Sequence, residues 1–313
     1  MLEAAERDGA TLREWERLVR LARRELRWPE APERAVIHQT GASLALAAPT
    51  DQLFTATEVN EWALCASIAA REPSRRAELV AALAAEQPDE PEPPVLDEAG
   101  ALLRLRRRAA REANPRLRAL IEAAGSRALP YLLDDDALTL GAGAGGHSWP
   151  IAELPEVPAI NWQALHGIPT ALVTGTNGKT TVVRLLAACA KAAGRTTGYC
   201  CTDGVFVAGQ ALGTGDYSGP AGARRVLRDA RVEAAILETA RGGILRRGLA
   251  VARADVAVIT SIAADHFGEF GVHDLETLID VKLAVARALG PDGLLVVNAD
   301  DPLLAGKAAA AGK

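Results

Sequence analysis

Lys179 and Thr180 close the run Gly175-Thr176-Asn177-Gly178-Lys179-Thr180-Thr181, whose residue types suit a bound anion. Backbone N–H groups at a helix start point toward a phosphate, a lysine there reaches the outer phosphates, and the hydroxyl after it can hold magnesium. The run therefore predicts a nucleoside triphosphate site. A fuller version of this pattern carries another glycine at position 173, where Val173 stands, so only the shorter G-x-x-G-K-T form is present. The competing explanation is an ordinary turn with a solvated lysine. A lysine beside the positive end of a helix dipole is poorly placed, however, unless an anion answers it.

Three other places carry groups that suit nucleotide chemistry. Glu238 directly follows the apolar run Ala234-Ala235-Ile236-Leu237. A carboxylate at a strand end can ligate magnesium directly or through water, although a capping or ion-paired glutamate would read the same way. Asp265-His266 follows the run Val256–Thr260 and puts a second polar group near a second strand end. Asn298, in Asn298-Ala299-Asp300-Asp301-Pro302, can meet a base or ribose, yet such a turn also forms without a ligand. Lys282 lies within a helical run, and periodicity predicts an exposed side chain.

The elements that must position these residues begin at about 168. Apolar runs at 170–173, 202–207, 234–237, 256–260 and 294–297 alternate with helical stretches, one ending near Ala193 and one covering about Leu275 to Leu289. Continuous apolar strands alternating with helices predict an α/β fold, a mainly parallel sheet with helices on both faces. Ligands of such sheets gather at the carboxyl ends of the strands, where the residues above lie.

The first half reads differently. Leu12, Trp15, Leu18, Leu21 and Ala22 share one helical face; 34–40 and 43–47 suggest a hairpin; and two more helices are expected before Ala85. Gln87 to Pro94 holds four prolines and excludes regular structure. A further helix runs to about Glu112, and its arginines, Arg104 and Arg106 to Arg108, read as a solvated or ion-paired face. Short strands at 131–133 and 137–140 flank the turn Asp134-Asp135-Asp136, read as solvated, and Gly141 to Gly146 reads as a flexible connector. Neither has the context of a metal site or a second phosphate loop. The expected division is an N-terminal, helix-rich α+β domain over 1–150, a candidate seat of substrate recognition, and a nucleotide-binding domain over 151–313.

A net charge of -5 argues against a general nucleic-acid binder. No stretch approaches the ~18 apolar residues of a membrane span, and the start lacks a signal-peptide core, so a cytoplasmic location is expected. Cys65, Cys189, Cys200 and Cys201 lack metal-ligand or redox spacing and read as reduced, packed thiols.

Taken together, Thr174 to Thr181, Leu237-Glu238-Thr239-Ala240-Arg241-Gly242-Gly243-Ile244-Leu245-Arg246, Asp265-His266, Val281-Lys282 and Asn298 to Pro302 resemble the central ATP-binding domain of the Mur ligases. Thr202-Asp203-Gly204 and Gly215 to Pro220 extend the resemblance to the Mur-ligase-like part of cyanophycin synthetase, covering about residues 165–313. The resemblance implies ATP and Mg2+ as cofactors, and a ligase that joins a carboxylate to an amine or amino acid through an acyl phosphate. By position it implies Lys179 on the β- and γ-phosphates, Thr180 and Glu238 on one magnesium, and His266 on a second. Lys282 would be the lysine that many of these enzymes carbamylate, and Asn298 would lie near the nucleotide. Asp203, Asp216 and Arg241 would face the substrate.

Ser261 departs from the asparagine often found there. The family also continues into a third, C-terminal domain that helps bind ATP and the amine, so the chain alone is expected to be a weak ligase at best. Two alternatives belong to other classes. A P-loop small-molecule kinase would transfer phosphate to a hydroxyl, and a noncatalytic ATP-binding subunit would bind without turnover. A GTP switch is disfavoured because no N-K-x-D motif is present.

Overall fold

The amphipathic run near the N-terminus forms α1 (Gly9–Glu25), which buries Leu12, Trp15, Leu18, Val19 and Ala22 along one face. The expected hairpin is β1 (Arg34–His38) paired antiparallel with β2 (Gly41–Ala45). Three helices follow: α2 (Leu53–Arg71), α3 (Arg76–Glu86) and α4 (Glu98–Glu112), the last capped by Asp97, whose carboxylate accepts from Gly100 N–H at 2.8 Å. Trp15, Val59, Trp62, Leu79, Leu83 and Leu105 are among the buried residues of their shared core. The arginine face of α4 is ion-paired: Glu58 of α2 sits 3.2 Å from Arg104 and 2.9 Å from Arg108, and Arg107 meets Glu92 at 2.9 Å. α5 (Pro115–Gly125) was not foreseen from the sequence.

This computed structural model describes residues 9–38, 41–86, 92–264, 267–268 and 271–310. The chain divides into two units, Met1–Arg118 and Ala119–Lys313. The small sheet around the three aspartates, placed on the N-terminal side by the sequence reading, lies in the second unit.

That sheet is β3 (Tyr131–Leu133), β4 (Ala137–Leu140) and β5 (His147–Pro150), all antiparallel. Its turn is not simply solvated. Arg228 ion-pairs with Asp134, donates to Thr139 Oγ1 at 3.0 Å and donates to the Ala137 carbonyl at 3.2 Å. Nor is Gly141 to Gly146 a flexible connector. Gly141, Gly143 and Gly145 are buried, and Ala144 N–H donates to the Val232 carbonyl at 2.7 Å. Gly143 adopts φ +53, and a side chain there would overlap that same carbonyl. A distant arginine explains the first correction and close backbone packing, invisible in a glycine-rich run, the second.

The main sheet has seven strands in the order β12-β11-β6-β10-β7-β8-β9. These are β6 (Thr170–Thr174), β7 (Thr197–Cys201), β8 (Gly204–Val207), β9 (Gln210–Thr214), β10 (Ala234–Glu238), β11 (Ala254–Ile259) and β12 (Leu289–Val297). β12, β11, β6, β10 and β7 are parallel, while β7, β8 and β9 form an antiparallel meander at one edge. The single strand expected over 202–207 thus resolves into parts of a meander, because Thr202 and Asp203 make a turn and Gly204, at φ +151, lets the chain reverse.

Helices cover both faces, as expected of a doubly wound α/β sheet. α6 (Lys179–Ala192) packs Val183 and Ala187 on Val173, Cys201 and Ile236. The opposite face buries Leu172, Leu237, Ala257 and Ile259 with residues of α7 (Pro220–Arg228) and α9 (Leu275–Leu283). α8 (Arg241–Arg247) follows β10, and α10 (Pro302–Ala310) follows β12.

Candidate phosphate-binding site

β6 stops at Thr174, and Gly175 to Gly178 form the loop that leads into α6. Val173, at the position of the missing glycine, is still strand and is fully buried, so the loop is short because the strand is long. Gly178 caps α6 at φ +79, a left-handed conformation that suits glycine. The first helical bond runs from Val182 N–H to the Gly178 carbonyl at 2.9 Å, which leaves the N–H groups of Lys179, Thr180 and Thr181 without intrahelical partners. These three amides, at the positive end of a 14-residue helix, form an anion cradle.

Strand register delivers the carboxylate. Glu238 pairs with Val173 across β10 and β6, and alternation turns it to the same face as Val173, beneath the first turn of α6. It is 1% exposed, and its Oε2 accepts from Thr180 Oγ1 at 2.8 Å. Its Oε1 has no hydrogen-bond partner among the described residues, nor has the buried Thr174 Oγ1 at the end of the neighbouring strand. Burial pushes the Glu238 carboxyl above its ordinary range, opposed by the Thr180 hydrogen bond and the Lys179 charge, with the carboxylate of Asp216 raising it further. A buried carboxylate oxygen that lacks a partner has the chemistry of a hard-cation ligand, and the Thr180 hydroxyl beside it completes the donor set.

Three successive loop carbonyls are held by side chains. Lys282 Nζ donates to the Gly175 carbonyl at 2.8 Å, Lys179 Nζ to that of Thr176 at 2.8 Å, and Thr260 Oγ1 to that of Asn177 at 2.6 Å. Lys282 is 4% exposed, against the exposed position that helical periodicity suggested. Its neighbours in sequence are apolar on both sides, so only tertiary packing could show which way it turns.

The remaining candidates are more dispersed. Asp203 lies in the β7–β8 turn and pairs with Arg184 of α6 at 2.6 Å. Asp216 accepts from Ser218 N–H at 2.9 Å and Ser218 Oγ at 2.6 Å, a local turn close enough to Glu238 to act on its charge. Arg241 opens α8, three residues after Glu238. Asn298 follows the edge strand β12, is exposed, and accepts from Asp300 N–H at 3.1 Å. Asp265 and His266 lie outside the described residues. Two residues escaped notice as site members: Thr202, whose hydroxyl is 3.0 Å from that of Thr180, and Thr260. Thr202 stood in the motif Thr202-Asp203-Gly204 without a role of its own, and for Thr260 the signal was its place at the carboxyl end of a strand.

Residues 173–313 match the Mur ligase middle domain. Cyanophycin synthetase of Synechocystis sp. is 48% identical over 141 residues, covering 45% of this chain and 16% of that protein. UDP-N-acetylmuramoylalanine--D-glutamate ligase of Chlorobium luteolum is 34% identical over 132 residues, covering 42% of this chain and 26% of that protein. Among solved structures, Mycobacterium tuberculosis folylpolyglutamate synthase complexed with ADP and AMPPCP is 24% identical, with a TM-score of 0.37 over 46% of this chain and 41% of that one. The chain spans about a sixth of the length of the cyanophycin synthetases it matches. Among the described residues, no helix is long and apolar enough to cross a membrane.

Proposed function

We propose, from the match of residues 173–313 to the Mur ligase middle domain, that this chain is the nucleotide-binding portion of an ATP-dependent ligase that joins a carboxylate to an amine. The observation that carries the reading is the cradle at the start of α6, set against a buried Glu238 oxygen that has no hydrogen-bond partner among the described residues. In the proposed reaction a carboxylate oxygen of the substrate takes the γ-phosphoryl group of ATP and ADP departs. The amine then attacks the acyl carbon, loses a proton, and inorganic phosphate leaves. A carboxylate is a poor electrophile, and the phosphate supplies the leaving group it lacks.

In this reading Gly175 to Thr181 surround the phosphates, and Lys179 exchanges the Thr176 carbonyl for the β- and γ-phosphate oxygens. Thr180 and Glu238 hold Mg2+, which when bound neutralises charge on those oxygens. His266 serves a second ion and Asn298 the nucleoside. Asp203, Asp216 and Arg241 face the carboxylate substrate or the amine. Lys282 keeps its hold on Gly175; a carbamate on it would retain one N–H for that carbonyl and add a carboxylate. Residues that bind the amine belong in part to the further length that the relatives possess, and the cytoplasm, where ATP is made available, is the proposed location.

Calorimetric titration with ATP and magnesium, comparing the chain with Lys179→Ala, tests the reading. Loss of charge-assisted hydrogen bonds is expected to weaken ATP by roughly 10- to 100-fold. Equal affinity in the two proteins would overturn the site; if neither binds, the same titration of a longer polypeptide carrying the further length of the relatives decides, and no binding there would overturn it as well. A screen of acid-plus-amine pairs for ADP, phosphate and amide then separates ligase from kinase, since a kinase releases no phosphate and needs no amine.

A further inference from the structure

Phosphate binding by backbone amides requires the neighbouring carbonyls to point elsewhere, because a carbonyl oxygen turned into the cradle would repel the anion. In this loop the carbonyl at greatest risk is that of Asn177, immediately before the capping glycine. The short segment after β11 secures it. Thr260 Oγ1 donates to it at 2.6 Å and lies 3.3 Å from the Thr174 carbonyl. Ser261 Oγ reaches both the amide and the carbonyl of Asn177 at 3.2 Å, and the Ser261 carbonyl accepts from Thr176 N–H at 2.7 Å. Ala263 N–H completes the contact by donating to Thr176 Oγ1 at 3.1 Å. Gly175, at φ +143, leaves the room this clamp needs, since any side chain there would overlap the Thr260 hydroxyl. The hydroxyls of Thr260 and Ser261 are thereby committed to the loop's own backbone, and among the described residues neither hydrogen-bonds a cradle amide of Lys179 to Thr181.

We propose that Thr260 and Ser261 are positioning residues that hold the phosphate loop in its binding conformation before nucleotide arrives. The proposal rests on the phosphate-loop reading above for its consequence, and on hydrogen bonds alone for its premise. Ser261, in place of asparagine, is short enough for one hydroxyl to accept from the N–H and donate to the carbonyl of the same residue, Asn177.

The test has two arms, applied to Thr260→Val, Thr260→Ser and Ser261→Ala in the full chain. Hydrogen exchange of peptides covering 174–181 without nucleotide should be about tenfold faster in Thr260→Val, the scale of one lost hydrogen bond, and should be restored by Thr260→Ser. Ser261→Ala should shift it in the same direction. Titration with ATP and magnesium should show a matching loss of affinity in Thr260→Val, recovered in Thr260→Ser. Unchanged exchange in both Thr260→Val and Ser261→Ala would overturn the clamp. Faster exchange with undiminished affinity would overturn its positioning role. If neither the unaltered chain nor a longer polypeptide carrying the further length of the relatives binds ATP, the ligase reading fails, while the exchange arm still decides whether the clamp exists.

Discussion

Each unit buries a glutamate, and the two are treated in opposite ways. Glu58 in the first unit is flanked by Arg104 and Arg108 from the facing helix. Glu238 in the second is 1% exposed and receives a threonine hydroxyl where Glu58 meets guanidinium groups; the countercharge separates them and hydrogen bonding does not, because both Glu58 oxygens, like Glu238 Oε1, lack a hydrogen-bond partner among the described residues. Burial pushes both carboxyls upward, but for Glu58 the guanidinium charges of Arg104, Arg108 and Arg111 oppose it, whereas for Glu238 the Thr180 hydrogen bond and the charge of Lys179 do. The difference teaches how to tell a joint from a site. Where a buried charge is answered by fixed countercharges, it holds elements together; where it is under-answered, it is kept for something that binds.

The largest effect that would sharpen this contrast is Glu58→Ala. Removing the carboxylate that α4 answers should cost about 3–5 kcal/mol of the first unit's stability, read as faster hydrogen exchange in α2 and α4. A loss of under 1 kcal/mol would break the comparison. Glu238→Gln should behave in the reverse sense, with stability held or improved and magnesium-dependent ATP affinity reduced roughly tenfold or more, the scale of a lost charged ligand. If that substitution unfolds the protein while binding per folded molecule persists, Glu238 is a joint as well.

A pH experiment tests the burial effect at Glu238 itself. A carboxyl held above its unfolded value keeps its proton longer in the folded chain, so stability falls as pH rises from the ordinary carboxylate range through the raised folded value, and the cost is complete above it. Glu238→Gln removes that titration. Denaturation midpoints of the second unit should therefore depend less steeply on pH across that window in the variant, and identical slopes would contradict the burial effect. The smallest change is expected at Asp203, whose pair with Arg184 is about half exposed on both sides. Asp203→Asn should alter stability by less than ~1 kcal/mol, so a large loss of amide formation with normal stability would mark Asp203 as a substrate contact.

How much of this was legible in the chain depends on how local the physics is. The cradle was legible because strand, glycine turn, lysine and helix are contiguous, and phosphate recognition by a helix start needs little else. Glu238 was legible because a carboxylate ending a continuous apolar strand is rare without purpose. Lys282 was misjudged because its partner, the Gly175 carbonyl, lies 107 positions away, and nothing within one helical turn reveals it. Thr260 was passed over as the tail of a strand, since a threonine there satisfies β propensity without any further role. The glycines at 141–146 misled for a related reason: the same residue that permits flexibility permits close packing, and only the arrival of Val232 shows which applies.

The place of β6 in the sheet also fixes an order of events during synthesis. Both of its neighbours, β10 and β11, are made after it, and the segment that clamps its loop comes later still. When Thr170–Thr174 leaves the ribosome it has two bare edges and no partner until residue 234, and its loop carbonyls wait for Thr260 and then Lys282. The meander β7–β9 can pair locally in the meantime, because its strands are adjacent in sequence. The stretch that forms the cradle is therefore among the last to acquire its shape, and a polypeptide interrupted before Ala254 would carry every residue of the cradle while lacking β11 and the clamp that hold its loop.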